Sequence, residues 1–194
     1  MIPPIARTAP SIVGLTGPNA SGKGEVAKFL AARGFTVHSL SDIVREAAAR
    51  AGLEPSRDNL IATGVALRAA EGPGVLAARI LPRLAEEAVV DSIRGPAEVA
   101  VLRTLPTFVL VGVDAPMPLR FERSLLRGRL GDGASLQEFE RQEERENASA
   151  ETGQQLRRTL ALADRVLVND GTIADLHARA LVLFREIGLV LPSS

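Results

Sequence analysis

Gly17-Pro18-Asn19-Ala20-Ser21-Gly22-Lys23-Gly24 reads G-x-x-x-x-G-K, a phosphate-cradling pattern, with Gly24 where Ser or Thr commonly follows the lysine. Its flanks inform as much as its letters. Ser11-Ile12-Val13-Gly14-Leu15-Thr16 before it is short, apolar and β-branched, the composition of a buried parallel strand. After it, Val26, Phe29, Leu30 and Arg33 recur at helical spacing, and Gly34 stands as the C′ residue of that helix. Strand, glycine loop and helix together turn backbone N–H groups and a helix N-terminus toward anionic oxygens.

The chain holds 21 arginines but only two lysines, Lys23 and Lys28. One of the two occupies the position where a flexible ammonium on a long stem reaches β- and γ-phosphates. The plainer alternative is a glycine-rich turn capping an ordinary helix, with Lys23 in solvent. At 194 residues, 46% hydrophobic and 24% charged, the sequence describes one globular domain. Zero formal net charge argues against a nucleic-acid or anionic-membrane partner recruited by overall charge. The absence of cysteine excludes disulfides, a thiol nucleophile and a cysteine zinc site. Met1 to Pro10 holds three prolines and no long apolar core, and no run approaches a membrane span, so the expected location is the cytoplasm.

Further strands are predicted at Phe35–Ser39, Ala88–Asp91, Phe108–Asp114 and Arg165–Asn169. Helices are predicted after Asp42 as a cap, after Ser56, from Val75 with Pro82 interrupting it, from Pro96, after Pro116, over Leu136 to about Ala148, and after Thr172. Gly128 to Ser135 is a polar break. Five alternations of strand and helix predict an α/β fold, a parallel sheet covered on both faces. Ligands then collect at the carboxyl ends of the strands, where the glycine loop, Asp42, Asp91-Ser92-Ile93-Arg94, Asp114 and Asn169-Asp170-Gly171 fall.

In that order, these segments resemble the P-loop nucleoside monophosphate kinases of the adenylate kinase kind. The chain also resembles a group of small kinases common in archaea, related domains of which are fused to deoxycytidylate deaminases. Gly22-Lys23-Gly24 is similar to the G-K-G of adenylate kinases, in which magnesium is held largely through water; dephospho-CoA kinases usually show G-K-S or G-K-T. Glu25 departs from the usual Thr. Asp42-Ile43-Val44-Arg45 resembles the D-x-L-R segment whose arginine binds the acceptor. Asp91-Ser92-Ile93-Arg94 resembles D-G-x-P-R, one residue shorter and without its proline. The resemblance implies that Asp91 orders magnesium through water and that Arg94 grips the acceptor phosphate. Glu98 falls near a base-reading glutamine, Arg123, Arg127, Arg141 and Arg145 match arginines flanking a mobile lid, and Asn169-Asp170-Gly171-Thr172 matches the turn bordering the donor base.

The fold implied is a three-layer P-loop kinase with a five-stranded parallel sheet and a small helical lid. Residues 11–39, 86–116 and 160–190 would form the core, 40–85 the acceptor-binding part and 120–150 the lid. The implied activity is ATP-dependent phosphoryl transfer with Mg2+ to a nucleoside or deoxynucleoside monophosphate, by a monomer or homodimer. Gly17, Asn19, Ala20, Ser21, Gly22, Lys23, Gly24, Glu25, Arg127, Asn169 and Gly171 would hold the donor, and Asp42, Arg45, Arg94, Glu98 and Arg141 the acceptor. Lys23, Asp91, Arg123 and Arg127 would serve the chemistry. Plainer roles stay open: Asp91 and Asp42 as caps, Arg94 and Arg45 in solvent, Asn169 to Thr172 as a turn and N-cap. Arg120, Arg123 and Arg127 would then be a surface stripe beside Glu122, and Arg141 and Arg145 a solvated helix face. His38 is read as a satisfied strand residue and His177 as a helix-surface residue. Dephospho-CoA kinase and a nucleotide-binding regulator with little turnover remain as alternatives.

Overall fold

The computed structural model describes residues 9–128, 135–147 and 155–191. Parts of the first ten residues and of the Gly128–Ser135 break, and the predicted helix end at Ala148, lie outside these. Strands β1 (Ile12–Thr16), β2 (Thr36–Ser39), β3 (Ala88–Ile93), β4 (Phe108–Asp114) and β5 (Arg165–Val168) form one parallel sheet in the order β2-β3-β1-β4-β5.

Alternation along each strand divides the apolar side chains between two faces. Val13, Leu15, Val89, Val111 and Val113 meet Phe29 and Leu30 of α1 (Lys23–Ala31) and Leu176 and Phe184 of α9 (Ile173–Glu186). On the other face, Ile12, Ala88, Val90 and Leu110 pack with Ile43 of α2 (Leu40–Arg50), Leu76 and Ile80 of α4 (Val75–Ile80), and Leu102 of α5 (Pro96–Leu102). The expected three layers are therefore present. Helix α8 (Leu156–Ala161) lays Leu160 against Gly112 of β4, and α3 (Arg57–Glu71), α6 (Met117–Arg127) and α7 (Leu136–Asn147) complete the described helices. Among the described residues no single helix is long and apolar enough to cross a membrane.

Several boundaries follow from side-chain chemistry. Ser56 caps α3 by accepting the Asn59 N–H at 3.2 Å. Helix α4 gives way at Pro82 to a single 3-10 turn, Leu81–Arg83, because proline supplies no N–H to continue the helix. Asp42 does not cap α2. Ser39, in extended conformation, accepts the Ser41 N–H and starts the helix earlier, which leaves Asp42 in the first turn. Strand β3 runs past Asp91 to Ile93. Its pairing with β1 moves from Gly14↔Val90 to Thr16↔Ile93, so β3 carries one extra residue, and Ser92 takes φ +66°. Helix α8 was not anticipated from the sequence; it buries only Leu156 and Thr159.

The last helix begins with a reciprocal cap. The Thr172 hydroxyl accepts the Asp175 N–H, and the Asp175 carboxylate accepts the Thr172 N–H at 2.9 Å. Thr172→Ala is expected to lower stability by about 1 kcal/mol. Urea denaturation should show this as a lower midpoint at unchanged slope.

Candidate functional site

The loop between β1 and α1 is shaped by two glycines in the left-handed region, Gly17 at φ +138° and Gly22 at φ +106°. A Cβ at Gly17 would lie 2.0 Å from the Val113 carbonyl oxygen, and one at Gly22 would lie 2.2 Å from the Asn169 Nδ2. The loop is thus pressed against the ends of β4 and β5. Ala20 adopts φ +58° without being glycine, a strained conformation at the loop tip. Gly24 has open space around it.

Asn169 fastens the loop from the β5 side. Its buried Nδ2 donates to the Ser21 carbonyl at 2.8 Å, and its N–H donates to the Asp114 carbonyl at 2.7 Å. Arg123 braces Asn169 in turn, donating to its carbonyl at 3.1 Å and to its Oδ1 at 3.4 Å, and to the Gly171 carbonyl at 3.3 Å. Asn169, Gly171 and Arg123 are therefore brought together with the loop as its support.

Lys23 folds back under the loop and donates to the Gly17 carbonyl at 2.8 Å and the Pro18 carbonyl at 2.7 Å. Although the residue as a whole is half-buried, its ammonium end is withdrawn from solvent. Burial, with the positive charges of Arg94, Arg127 and Arg120, brings its pKa from 10.5 down to about 7, while Asp91 opposes the shift. These four side chains, from β3 to α6, therefore share one electrostatic neighbourhood with Lys23. The buried Asp91 Oδ1 has no hydrogen-bond partner. The adjacent left-handed Ser92 turns its hydroxyl toward Asp91 at 3.5 Å and Ser39 at 3.2 Å.

The remaining sequence-predicted residues make partnerships of their own. Glu25 turns outward to Lys28 at 2.8 Å, which relieves the conflict of a carboxylate beside bound anions. Arg45 pairs with Asp42 on an exposed face of α2. Arg141 is exposed on α7, with Gln137 Oε1 at 3.5 Å. Glu98 is fully buried and held by main-chain and guanidinium donors. Its Oε2 accepts the Arg94 and Gly95 N–H groups at 2.8 and 3.1 Å, and its Oε1 accepts from the buried Arg68 at 2.8 Å. His38 and His177 each bury an Nε2 without a partner, so neither fits its expected surroundings; His177 packs on Phe29 with ring centroids 5.1 Å apart.

Arg120, read from the sequence as a surface residue beside Glu122, is instead 5% exposed and paired with Glu143. The one local signal was its position four residues before Ser124, on the inward stripe of α6. Its true partner lies 23 residues on, beyond the polar break, where no spacing rule reaches.

No family model matches the chain. It is similar to the UPF0200 protein of Hyperthermus butylicus, at 36% identity over 180 residues covering 91% of this chain and 94% of that one. Among solved structures, TT1252 from Thermus thermophilus superposes with a TM-score of 0.61 at 25% identity, covering 92% of this chain and 98% of that one. Shikimate kinase from Aquifex aeolicus superposes with a TM-score of 0.57 at 16% identity, covering 90% and 96%, a likeness of fold.

The low proton affinity of Lys23 fixes a pH dependence. Between about pH 7 and the ordinary 10.5, the unfolded chain holds a proton that the folded chain has released. Stability therefore rises with pH across that window. Lys23→Met lacks this titration. From pH 7 to 9 the wild type should gain on the order of 2 kcal/mol relative to the variant in urea denaturation. Parallel pH profiles for the two proteins would refute the assignment.

Proposed function

Given that the chain belongs to the UPF0200 family and folds as a P-loop kinase, we propose that it transfers the γ-phosphoryl group of ATP to a nucleoside or deoxynucleoside monophosphate. The observation that carries this reading is a glycine loop closely fitted to the sheet, whose lysine feels the charges of Arg94, Asp91 and Arg127. Such a set suits a reaction in which negative charge spreads over several oxygens and little covalent chemistry falls to the protein.

In this reading, backbone N–H groups from Gly17 to Gly24 cradle the donor phosphates, and Lys23 exchanges its two carbonyl partners for phosphate oxygens. Arg94 holds the acceptor phosphate, and Arg127 approaches from the lid side. Arg123 keeps its supporting place against Asn169, beside the expected position of the donor base. The division of labour follows the core at 11–39, 86–116 and 160–190, the acceptor-binding part at 40–85 and the lid at 120–150.

Magnesium would supply charge neutralisation on the transferring group. The residues fit such an ion held through water. Among the described residues no cluster of three or more His, Asp or Glu side chains could bind it directly, and Gly24 offers no hydroxyl. The unpartnered Asp91 Oδ1 is a suitable anchor for a metal-bound water.

Two variants test the reading in a coupled ADP-release assay across ribo- and deoxynucleoside monophosphates, with dephospho-CoA alongside. Lys23→Ala is expected to lower turnover by roughly 10²–10³ while leaving the fold intact. Arg94→Ala should raise the acceptor KM far more than the ATP KM; unchanged acceptor kinetics would sink that assignment. ATP consumption with dephospho-CoA alone would redirect the acceptor assignment.

A further inference from the structure

The mechanism above leaves one buried charged group beside the glycine loop without a task. Arg120 donates Nη1 to Glu143 Oε1 at 2.6 Å and Nη2 to Oε2 at 2.9 Å, a two-pronged grip on a carboxylate. Its Nε donates to the Ala115 carbonyl at 2.9 Å, and Nη1 also reaches the Asn19 carbonyl of the loop at 3.4 Å. The two side chains are only 6% and 9% exposed. Glu143 belongs to α7, where Phe139 is also firmly buried, set against Phe121 of α6 with centroids 5.9 Å apart. Among the described residues, the Phe139 ring and the Arg120–Glu143 ion pair both tie this charged helix to α6.

A buried ion pair of this kind adds little net stability, but stripping either charge of its partner is strongly unfavourable. Glu143 can leave at low cost only if another anion takes its place. The planar fork that grips a carboxylate grips a phosphate equally well. The guanidinium already touches the loop and lies within electrostatic reach of Lys23.

We propose that Arg120 is a phosphate-binding arginine for which Glu143 and a ligand polyphosphate compete, so that polyphosphate binding unseats Glu143 and loosens α7 from the loop. The proposal rests on the reading that the loop takes nucleotide phosphates, and it adds a residue and a consequence that reading lacks.

The test is calorimetric titration of the full chain and of Glu143→Gln with MgATP and with tripolyphosphate, together with hydrogen exchange over residues 136–147. Removing the competing charge should tighten ATP binding about tenfold. A merely structural Glu143 would give weaker binding or none of this gain. In the wild type, ATP should speed exchange in α7, and Glu143→Gln should show fast exchange before ATP is added. With Arg120→Lys, which cannot grip two oxygens at once, the gain from Glu143→Gln should shrink. Equal or weaker ATP binding by Glu143→Gln overturns the proposal alone, as does unchanged or slower α7 exchange in the wild type on adding ATP, a measurement that needs no variant. Failure of wild type and variant alike to bind either ligand overturns the nucleotide reading and this proposal together.

Discussion

The loop that ends β1 has no room for side chains at two of its corners. With the Val113 carbonyl oxygen 2.0 Å and the Asn169 amide 2.2 Å from where a Cβ would be, Gly17 and Gly22 let the backbone lie directly on the ends of β4 and β5. The rest of the site is built onto that contact. The sheet order sets β4 beside β1 and β5 beside β4, which brings Asn169 under Ser21. Arg123 secures Asn169, and Arg120 reaches the loop from the same helix, so α6 braces the loop at both Asn19 and Ser21. The proposed binding of phosphates by this backbone would need such rigidity, since amide dipoles stabilise charge only when they are already aimed.

Charge in the site comes from placement, not composition. The chain as a whole is neutral, yet Lys23, Arg94, Arg120 and Arg127 act together with Asp91 as the opposing carboxylate. Crowding of like charges and withdrawal from water make the lysine ammonium unstable until an anion arrives, and the low proton affinity of Lys23 expresses that.

The sequence disclosed what depends on near neighbours. The strand–loop–helix at Ile12–Ala31, the β4 run, the caps at Ser56 and Thr172 and the break at Pro82 all follow from residues within a turn of one another. Where two residues were competent for one task, local reasoning chose wrongly: Ser39 took the cap assigned to Asp42 because its hydroxyl reaches the Ser41 N–H. Pairings across elements were illegible. Nothing near Glu98 signals Arg68, 30 residues away, and nothing near Arg120 signals Glu143. The bulge at Ser92 was hidden for a related reason, because a left-handed serine is dictated by strand register and not by its own preference. The fold was thus read nearly whole, while the pairings across elements were not.

The central position of β1 has a consequence for how the protein is made. Ile12 pairs with Ala88 and with Phe108, separations of 88 − 12 = 76 and 108 − 12 = 96 residues. An emerging chain therefore carries β1 unpaired until the distant β3 and β4 have left the ribosome. The support of the glycine loop is completed later still, because Asn169 follows the last strand. The contact that holds the loop is in this way deferred until β5 has been made.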